Sequence, residues 1–339
     1  MSKNTLWFDR GKGKSLSGHN LCYDYPARIR PKGEDIVPEV TVVIPLFNKG
    51  PYILRALSSI LDQGVPDIEV IVVDDSSLDD GPDSVAAFPD LRVRLIRQPH
   101  GGVSSARNTG IRFAASPFIA FLDADDEWQP GHLETLLRLH KTFPDAGICA
   151  TSYWFILPYG NRRMPAFSGF PGSPWEGVLP DYFRAAALGK PPVFSSAAGA
   201  SKEVLLEAGL FAEGVHLGED LDLWGRIALE YPVAFSHSGP ACYRKDADNR
   251  LCMRIPRERE LPFVATARAR LSEGAVPEYL VPSLRAYCCK LIYLSCRHLL
   301  RTGRTEDAAL LLHSSGFEHE ENGHIRRIHT VIAGKGRGE

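Results

Sequence analysis

The sequence predicts an α/β fold in which a mostly parallel central sheet is flanked by helices and followed by a helical C-terminal extension. Short β-branched or apolar runs alternate with segments of helical spacing from residue 40 to about residue 155. This alternation is typical of a parallel sheet with right-handed crossovers. Polar clusters follow several of the runs, at the carboxyl ends of strands where such sheets bind ligands. From about Glu258 onward the pattern is helical, which predicts the extension.

The individual elements are predicted from residue types and spacing. Runs rich in Val and Ile predict strands, whereas apolar residues three and four positions apart predict one face of a helix. The predicted strands are Val40–Pro45, Ile68–Val73, Arg92–Arg97, the run from Phe118, Gly147–Phe155, Val193–Ala200, Val233–Phe235 and Ala241–Arg244. The predicted helices are Pro51–Gln63, Val103–Ala115, the segment from Pro130, Asp181–Leu188, Lys202–Ala208, the segment from Glu219, and Leu284–Leu300.

The composition is that of an ordinary globular protein. The 339 residues are 44% hydrophobic with a formal net charge of −2, so charge gives no argument for binding nucleic acid. Seven scattered cysteines without a C-x-x-C pair disfavour a zinc ribbon and favour a reducing compartment. The N-terminus lacks a signal-peptide core, and no run reaches the roughly 18 apolar residues of a membrane span. The expected location is the cytoplasm.

Two segments carry few signals of regular structure. Residues 1–38 combine Gly, Pro and basic side chains without periodicity, which predicts a flexible basic arm. Residues 156–192 are rich in Pro, Gly and aromatic side chains, which predicts a long loop with a short helix, and loops of this length inside a domain are usually functional.

A strand-like run from Phe118 ends in an acidic cluster that contains Asp123, Asp125, Asp126 and Glu127. Residues two apart on an extended segment point the same way, so Asp123 and Asp125 are expected to project together. Two carboxylates about 4 Å apart repel by roughly 4 kcal/mol at an effective dielectric constant of about 20. A divalent cation such as Mg²⁺ or Mn²⁺ bound between the two carboxylates would make the net interaction favourable. A solvated acidic turn that caps the next helix is the alternative at this point.

Five motifs occur in order between residues 40 and 245. They are VVIPLFN at 42–48, VVDDSSLD at 72–79, GVSSARNTG at 102–110, FLDADD at 121–126 and GEDLDLW at 218–224. Together they resemble glycosyltransferase family 2, an inverting family with the GT-A fold, whose central sheet is Rossmann-like. Any one motif is a weak signal, but five in the family's order and roughly its spacing are a strong one.

The resemblance divides the chain into three parts. These are the basic arm at residues 1–38, a GT-A domain at 39–250 and a helical extension at 251–339. Within the domain, residues 39–128 are the expected nucleotide-binding half and residues 129–250 the expected acceptor half.

The resemblance also implies a donor, a metal and their ligands. The donor is a nucleotide diphospho-sugar, and UDP-sugar is the expected form. Its departing diphosphate needs a Lewis acid, which Mn²⁺ or Mg²⁺ supplies. Asp123 and Asp125 match the family's DxD metal site, with Asp125 the more direct ligand and Asp123 supporting both the metal and the nucleotide-sugar. Arg107 is expected to hold or neutralise charge near the metal.

The nucleoside side of the expected site comes from the first two motifs. Asp75 would face the nucleobase, where a carboxylate accepts N–H donors of uracil, thymine or guanine. Pro45, Phe47 and Asn48 would line the nucleoside pocket. Asn48 could instead form a turn, and Arg107 could be a helix-surface charge.

The resemblance assigns the catalytic base to Asp220. An acceptor hydroxyl loses its proton as it attacks, and a positioned carboxylate accepts that proton. A single base without a second carboxylate nucleophile implies inversion, by the logic that applies to inverting glycosidases. The alternative is that Asp220 and its acidic neighbours only stabilise the start of a helix.

The sequence departs from the family's pattern after Tyr243 and Arg244. Many members carry a His there, in the acceptor and metal region, whereas this chain continues with Lys245 and Asp246. Either Asp246 or Asp248 replaces the His as an oxygen ligand, or the metal has no third protein ligand.

Three other functions compete with the transferase. A processive polysaccharide synthase is disfavoured because no Trp occurs after Trp224 and no span is predicted. A sugar nucleotidyltransferase would need a Gly-rich basic loop after the first strand, and residues 46–50 lack one. A non-catalytic nucleotide-sugar-binding relative remains open. For the transferase, the expected acceptor is a glycan or lipid-linked precursor of a surface polysaccharide or lipopolysaccharide. Basic residues at 285–304 suggest peripheral contact with the inner membrane face.

Overall fold

The computed structural model describes residues 37–247 and 258–335. The predicted basic arm therefore lies outside the described residues, apart from its last two positions, and so does Asp248. Within the described part, ten strands form a mixed sheet with the order β3-β2-β1-β4-β9-β6-β10-β5, while β7 pairs with β6 and β8 with β10. The strands are β1 (Val40–Leu46), β2 (Ile68–Asp74), β3 (Val93–Arg97), β4 (Phe118–Phe121), β5 (Glu127–Trp128), β6 (Ile148–Ile156), β7 (Arg162–Arg163), β8 (Glu176–Val178), β9 (Ala198–Ser201) and β10 (Val233–Arg244).

The helices connect these strands and continue into the C-terminal extension. They are α1 (Gly50–Leu61), α2 (Gly81–Ala87), α3 (Gly102–Phe113), α4 (His132–Thr142), α5 (Tyr182–Leu188), α6 (Lys202–Glu207), α7 (Glu219–Glu230), α8 (Pro262–Ser272), α9 (Val281–Arg301), α10 (Thr305–Ser314) and α11 (Gly323–Lys335).

The predicted parallel half of the sheet is confirmed. Strands β3, β2, β1 and β4 pair in parallel, and so do β6 and β10. Strand β9 lies antiparallel between β4 and β6, which makes the sheet as a whole mixed. The two strands predicted at 233–235 and 241–244 are one strand, β10, with a register shift between Ser236 and Ala241. Bulges of this kind bend a strand without ending it, which a gap in the hydrophobic pattern does not reveal.

The central strands are buried on both faces, as their continuous apolar runs predict. On one face, Val43, Ile71 and Phe121 pack into a core that includes residues of α3 and α7. On the other face, Val42 and Val70 pack against residues of α1 and α4. Helix α3 lies so close to β1 that a Cβ at position 110 would overlap Val43.

The C-terminal extension packs on helix α5, within the segment 129–250 that is the expected acceptor half. Lys290 of α9 donates to the carbonyl oxygens of Ala186 and Gly189 at the end of α5. Cys288, Cys289 and Cys296 are buried along α9. This supports the prediction of a packed helix, and none of the described helices is long and apolar enough to cross a membrane.

Candidate active site

The acidic loop after β4 contains carboxylates in different surroundings. The side chains of Asp123 and Asp125 are 28% and 14% exposed, whereas Asp126 is fully buried. The Asp126 carboxylate accepts hydrogen bonds from Ser196 Oγ at 2.6 Å and from the Arg244 backbone N–H at 2.9 Å. Burial, together with the charges of Asp125 and Asp123, raises the pKa of Asp126 well above its usual value. Asp126 therefore anchors the loop, and Asp123 and Asp125 remain partly exposed.

Arg107 connects the two acidic motifs. Its side chain is 3% exposed on α3 and donates to Asp123 Oδ1 at 2.7 Å and to Glu219 Oε1 at 3.0 Å. Burial opposes the charge of Arg107, but Asp123 and Glu219 outweigh it and raise the pKa of the guanidinium. Phe211 lies against the guanidinium, with its ring centroid 5.1 Å from Cζ. The pairing holds the start of α7 against the loop after β4.

Asp220 lies in the first turn of α7, next to Glu219. It accepts a hydrogen bond from the Leu221 N–H at 2.8 Å. Burial and the adjacent Glu219 raise the pKa of Asp220 to about 7, although Arg107 acts in the opposite direction. Asp220 as a whole residue is partly buried. A carboxyl group with this pKa exchanges a proton readily near neutral pH.

A second cation contacts the acidic loop after β4. Lys49, in the loop after β1, forms an ion pair with Asp125 Oδ2. Arg55 of α1 donates to the Asp125 carbonyl oxygen at 2.9 Å and pairs with Glu127 at 3.1 Å. Lys49 was not among the predicted site residues. Its proximity to Asp125 depends on the packing of loops 76 residues apart, and the only signal in the sequence was its position after the first strand.

Asp123 and Asp125 suit a divalent cation that is shared with a substrate. Arg107 takes one oxygen of Asp123 and Lys49 one oxygen of Asp125, so the second oxygen of each carboxylate is available to a cation. Within residues 37–247 and 258–335, no three His, Cys, Asp or Glu side chains are arranged to hold a metal by themselves. Mg²⁺ is often held by one or two carboxylates with substrate phosphates and water. The donor set therefore fits a cation that binds together with a diphosphate.

The segment that departs from the family's pattern is engaged in an ion pair. Asp246 Oδ2 lies 2.8 Å from Arg244 Nη2, and Arg244 also pairs with Glu127 at 3.1 Å. The side chain of Asp246 thus holds Arg244 in this structure. Its assignment as a third metal ligand stays a prediction.

The predicted nucleoside residues lie together at the ends of β1 and β2. Asp75 is 2% exposed and accepts hydrogen bonds from Gln98 Nε2, Gly101 N and Gly102 N at 2.7–2.8 Å. The fourth contact is His100 Nδ1, 2.8 Å from Asp75 Oδ2. The imidazole ring of His100 also stacks on Phe47, with centroids 4.5 Å apart. His100 therefore lies against both residues predicted to contact the base.

Pro45 and Asn48 shape the loops around Phe47. Pro45 continues β1 opposite Val73. Asn48 has a positive φ of 52° and accepts a hydrogen bond from the Leu78 N–H at 2.8 Å. This is the turn-forming role that the sequence left open for Asn48, and it ties the loop after β1 to the loop after β2.

The predicted site residues thus form two connected groups. In the first group, Arg107 pairs with both Asp123 and Glu219, and Glu219 is adjacent to Asp220 in the chain. In the second group, His100 contacts both Phe47 and Asp75. The structure adds residues that sequence reasoning did not single out. They are Lys49, His100 and Ser196, whose Oγ accepts a hydrogen bond from the Asp123 N–H at 3.1 Å.

The comparison with protein families agrees with the geometry. The family model described as "Glycosyl transferase family 2" matches residues 41–204. Residues 41–204 belong to glycosyl transferase family 2. The matched range contains four of the five motifs, and the fifth, around Asp220, lies beyond it on α7.

Curated relatives of this family 2 domain include proteins of polysaccharide biosynthesis. The succinoglycan biosynthesis protein ExoW of Rhizobium meliloti is 46% identical over 129 residues, which are 36% of this chain and 39% of ExoW. ExoO of the same organism is 44% identical over 111 residues, 32% of each chain. An uncharacterized glycosyltransferase of Rickettsia felis is 29% identical over 197 residues, 58% of this chain and 31% of the relative. The matched segments span about a third of the length of these relatives.

Solved structures share the fold over most of the chain. TarS of S. aureus, residues 1–349 in complex with UDP-GlcNAc, has a TM-score of 0.58 at 16% identity and covers 89% of this chain and 92% of that chain. The mannosyltransferase PcManGT of Pyrobaculum calidifontis, in complex with GDP-Man and Mn²⁺, has a TM-score of 0.56 at 21% identity and covers 89% and 87%. The predicted GT-A fold of the family 2 domain is confirmed.

Proposed function

We propose that the chain transfers one sugar from a nucleotide diphospho-sugar, with UDP as the nucleotide, to a hydroxyl group of an acceptor glycan. The observation that carries the proposal is the Arg107 bridge, which joins Asp123 at 2.7 Å to Glu219 at 3.0 Å. It brings Asp123 of the acidic loop and a carboxyl group with a pKa of about 7 to the same edge of the sheet. That combination suits departure of a diphosphate and deprotonation of a hydroxyl group in one site.

The reaction follows from these positions. Asp220, ionised, accepts the proton of the acceptor hydroxyl group as that oxygen attacks the anomeric carbon. The bond from the anomeric carbon to the phosphate oxygen breaks, and the nucleoside diphosphate departs with the electron pair. A Mn²⁺ or Mg²⁺ ion held by Asp123 and Asp125 would supply Lewis-acid stabilisation to the diphosphate. One displacement without a covalent intermediate inverts the configuration at the anomeric carbon.

The cations around the aspartates support binding of the donor. Lys49 and Arg107 place two positive charges beside Asp125 and Asp123, so the diphosphate enters a region that is not purely acidic. Charge-assisted hydrogen bonds to phosphate oxygens are roughly twice as strong as neutral ones. We assign donor orientation to these two side chains, together with Pro45 at the end of β1 and the loop residues Phe47 and Asn48.

The acceptor is proposed to be a surface-polysaccharide precursor, since ExoW and ExoO are named for succinoglycan biosynthesis. Peripheral contact with the inner membrane face is part of the proposal. Arg297, Arg301 and Arg327 line one groove between α9 and α11 together with the apolar side chains of Ile328 and Val331. Basic clusters beside apolar side chains favour anionic lipid surfaces.

A panel of nucleotides tests the proposal by thermal unfolding. UDP, GDP, dTDP and ADP are each added with and without Mn²⁺, and UDP with Mn²⁺ is expected to give the largest rise in Tm. A ligand at 100 times its Kd stabilises the folded state by about 2.7 kcal/mol. In Asp125→Asn, the additional rise from Mn²⁺ is expected to disappear. Asp145→Asn, a change in the exposed loop after α4, is the matched control, and it should retain the additional rise in Tm from Mn²⁺. A panel without any shift would support the non-catalytic alternative.

His100→Ala is expected to strengthen UDP binding by about fivefold. The change removes the ring from Phe47 and leaves Asp75 Oδ2 with the Gly102 N–H as its remaining donor. Asp75 Oδ2 can then accept one hydrogen bond from the base, and one net hydrogen bond corresponds to about 1 kcal/mol. The measurement is calorimetric titration of UDP. His313→Ala is the control, because His313 forms a similar exposed pair with Glu318 at 2.8 Å and should leave UDP binding unchanged. Weaker binding by His100→Ala would show instead that the imidazole ring contacts the base directly.

A further inference from the structure

Three aromatic rings, here called the aromatic platform, lie beside the acidic loop at the carboxyl ends of β6 and β10. They are Phe155, Phe194 and Tyr243, and each is partly exposed. Phe155 pairs with Tyr243 in the parallel register of β6 and β10, so their side chains share one face of the sheet. The Phe194 ring lies 4.8 Å from that of Tyr243, and the Phe155 ring lies 5.9 Å from it.

Two cations lie on the same face as the aromatic platform. Arg163 of β7 is directly opposite Phe155 in the antiparallel register, so it projects on the same side. Lys245 follows Tyr243 by two residues and places Nζ 3.6 Å from the centroid of the Phe155 ring. Arg163 is exposed and forms no ion pair with any residue in 37–247 or 258–335. Its neighbour Arg162 pairs with Ile156 and therefore projects on the opposite face.

The aromatic platform is attached directly to the acidic loop. The buried Asp126 accepts hydrogen bonds from Ser196, two residues after Phe194, and from the backbone N–H of Arg244, which lies between Tyr243 and Lys245. One carboxylate thus holds two of the chain segments that contribute rings. Any ligand on the aromatic platform lies next to the loop that contains Asp123 and Asp125.

The aromatic platform packs on a buried tyrosine, Tyr153. Tyr153 contacts two of its rings, with centroids 5.6 Å from Phe155 and 5.2 Å from Phe194. Burial raises the pKa of Tyr153, and the charge of Asp220 adds to that effect, which places Asp220 within electrostatic reach of Tyr153.

We propose that the aromatic platform binds a sugar ring of the acceptor and that Arg163 and Lys245 bind an anionic group on that acceptor. The proposal rests on the proposed transferase function and names its acceptor class, an acidic carbohydrate. Aromatic faces provide a large apolar surface for the C–H groups of a sugar ring. Arginine and lysine beside them form charge-assisted hydrogen bonds with a carboxylate or a phosphate. A neutral glycan would leave the exposed guanidinium of Arg163 without a partner in the complex.

The test compares an acidic and a neutral oligosaccharide of equal length. A tetrasaccharide containing glucuronic acid and the neutral cellotetraose are titrated into the full chain with UDP and Mn²⁺ present. Binding is followed by calorimetry and by saturation-transfer NMR, which reports sugar protons close to aromatic rings. Glucose 1-phosphate is titrated as well, to separate a phosphate from a carboxylate as the recognised group. We expect an acidic ligand to bind at least fivefold more tightly than the neutral one.

Two variants each replace one arginine of β7, and the two arginines project on opposite faces of that strand. Arg163→Ala is expected to weaken binding of the acidic ligand by about five- to tenfold. Arg162→Ala, one residue away on the other face, should change the affinity for that ligand less than twofold. Tyr243→Ala is expected to abolish saturation transfer to the sugar ring. Circular dichroism and UDP binding confirm that each variant is folded, and both arginines are exposed, so their replacement does not disturb the core.

Several results would overturn the inference. They are equal affinity for the acidic and neutral ligands, equal effects of the two arginine variants, or absence of carbohydrate binding by a chain that still binds UDP. Failure to bind any nucleotide would instead contradict the proposed function itself. The two failures are therefore distinguishable in one set of titrations.

Discussion

Asp220→Asn is expected to lower the rate of sugar transfer by about a thousandfold while UDP binding stays within twofold. An amide cannot accept the proton of the attacking hydroxyl group, and a positioned base contributes about 10² to 10⁴ to the rate. The shape of the side chain is retained, so the fold and the donor site should persist. The rate is measured as the release of UDP from a UDP-sugar when the sugar is transferred to an acceptor or to water. A calorimetric titration measures the binding of UDP.

The pH dependence gives this prediction a second readout. Because the pKa of Asp220 is raised to about 7, the rate should increase as pH rises through 7 and level off above it, as the base ionises. The same pKa bears on stability. A carboxyl group whose pKa is raised by folding stabilises the native state fully below its unfolded pKa of about 4 and loses that contribution as pH rises through 7. Asp220→Asn should therefore be more stable than the parent chain above pH 7.

Asp222→Asn is the matched control on the same helix. Asp222 is 4% exposed and accepts hydrogen bonds from Arg226 Nε at 2.9 Å and from Thr266 Oγ1 at 3.2 Å. Its replacement should reduce stability without shifting the pH profile of the rate. An Asp220→Asn chain with the parent rate and the parent pH profile would refute the assignment of the base.

Arg107→Met is expected to destabilise the fold by about 3 kcal/mol at pH 8 and to abolish transfer. Removing one partner of a buried ion pair leaves an uncompensated charge, which is strongly destabilising. Here Asp123 and Glu219 both lose their cation, and they repel each other and Asp220. The loss should shrink as pH falls through 7, because Asp220, whose pKa is raised to about 7, then becomes protonated and no longer repels the other two side chains. Urea unfolding at pH 8 and pH 5 measures the difference.

Arg112→Met separates this effect from the loss of any arginine on α3. Arg112 is 53% exposed and lies 3.5 Å from Glu213, and exposed ion pairs contribute about 0–1 kcal/mol. Its replacement should leave both stability and transfer nearly unchanged. If the two variants have equal stability at pH 8, Arg107 does not hold the two acidic motifs together in the way described.

Continuous apolar runs in the sequence were sufficient to predict the central strands. The runs at Val40–Leu46 and Ile68–Asp74 are strands over almost the predicted residues, because burial on both faces requires continuous apolar side chains. The small strand at Glu127–Trp128 was not predicted, since two residues carry no periodicity. Its pairing with β10 depends on a strand more than a hundred residues later.

Some features of the candidate site were likewise predictable from the sequence, and others were not. The motifs around Asp123 and Asp220 were recognisable from their resemblance to motifs of the family, and their carboxylates directly follow an apolar run and directly begin a helix. The full burial of Asp126 was not recognisable, since the sequence does not show which carboxylate of the acidic loop is enclosed. Burial and the hydrogen bonds from Ser196 and Arg244 distinguish Asp126, and each donor lies at least 70 residues away along the chain.

The sequence by itself therefore determined the α/β architecture, the family, and the edge of the sheet that carries the polar motifs. Those features follow from local periodicity and from residues adjacent in the chain. Only the tertiary structure decided that Arg107 joins Asp123 to Glu219, 112 residues away, and that His100 lies against both Phe47 and Asp75. Such contacts depend on how helices and loops pack, because a side chain's partners in a folded protein are set by distance in space and not along the chain.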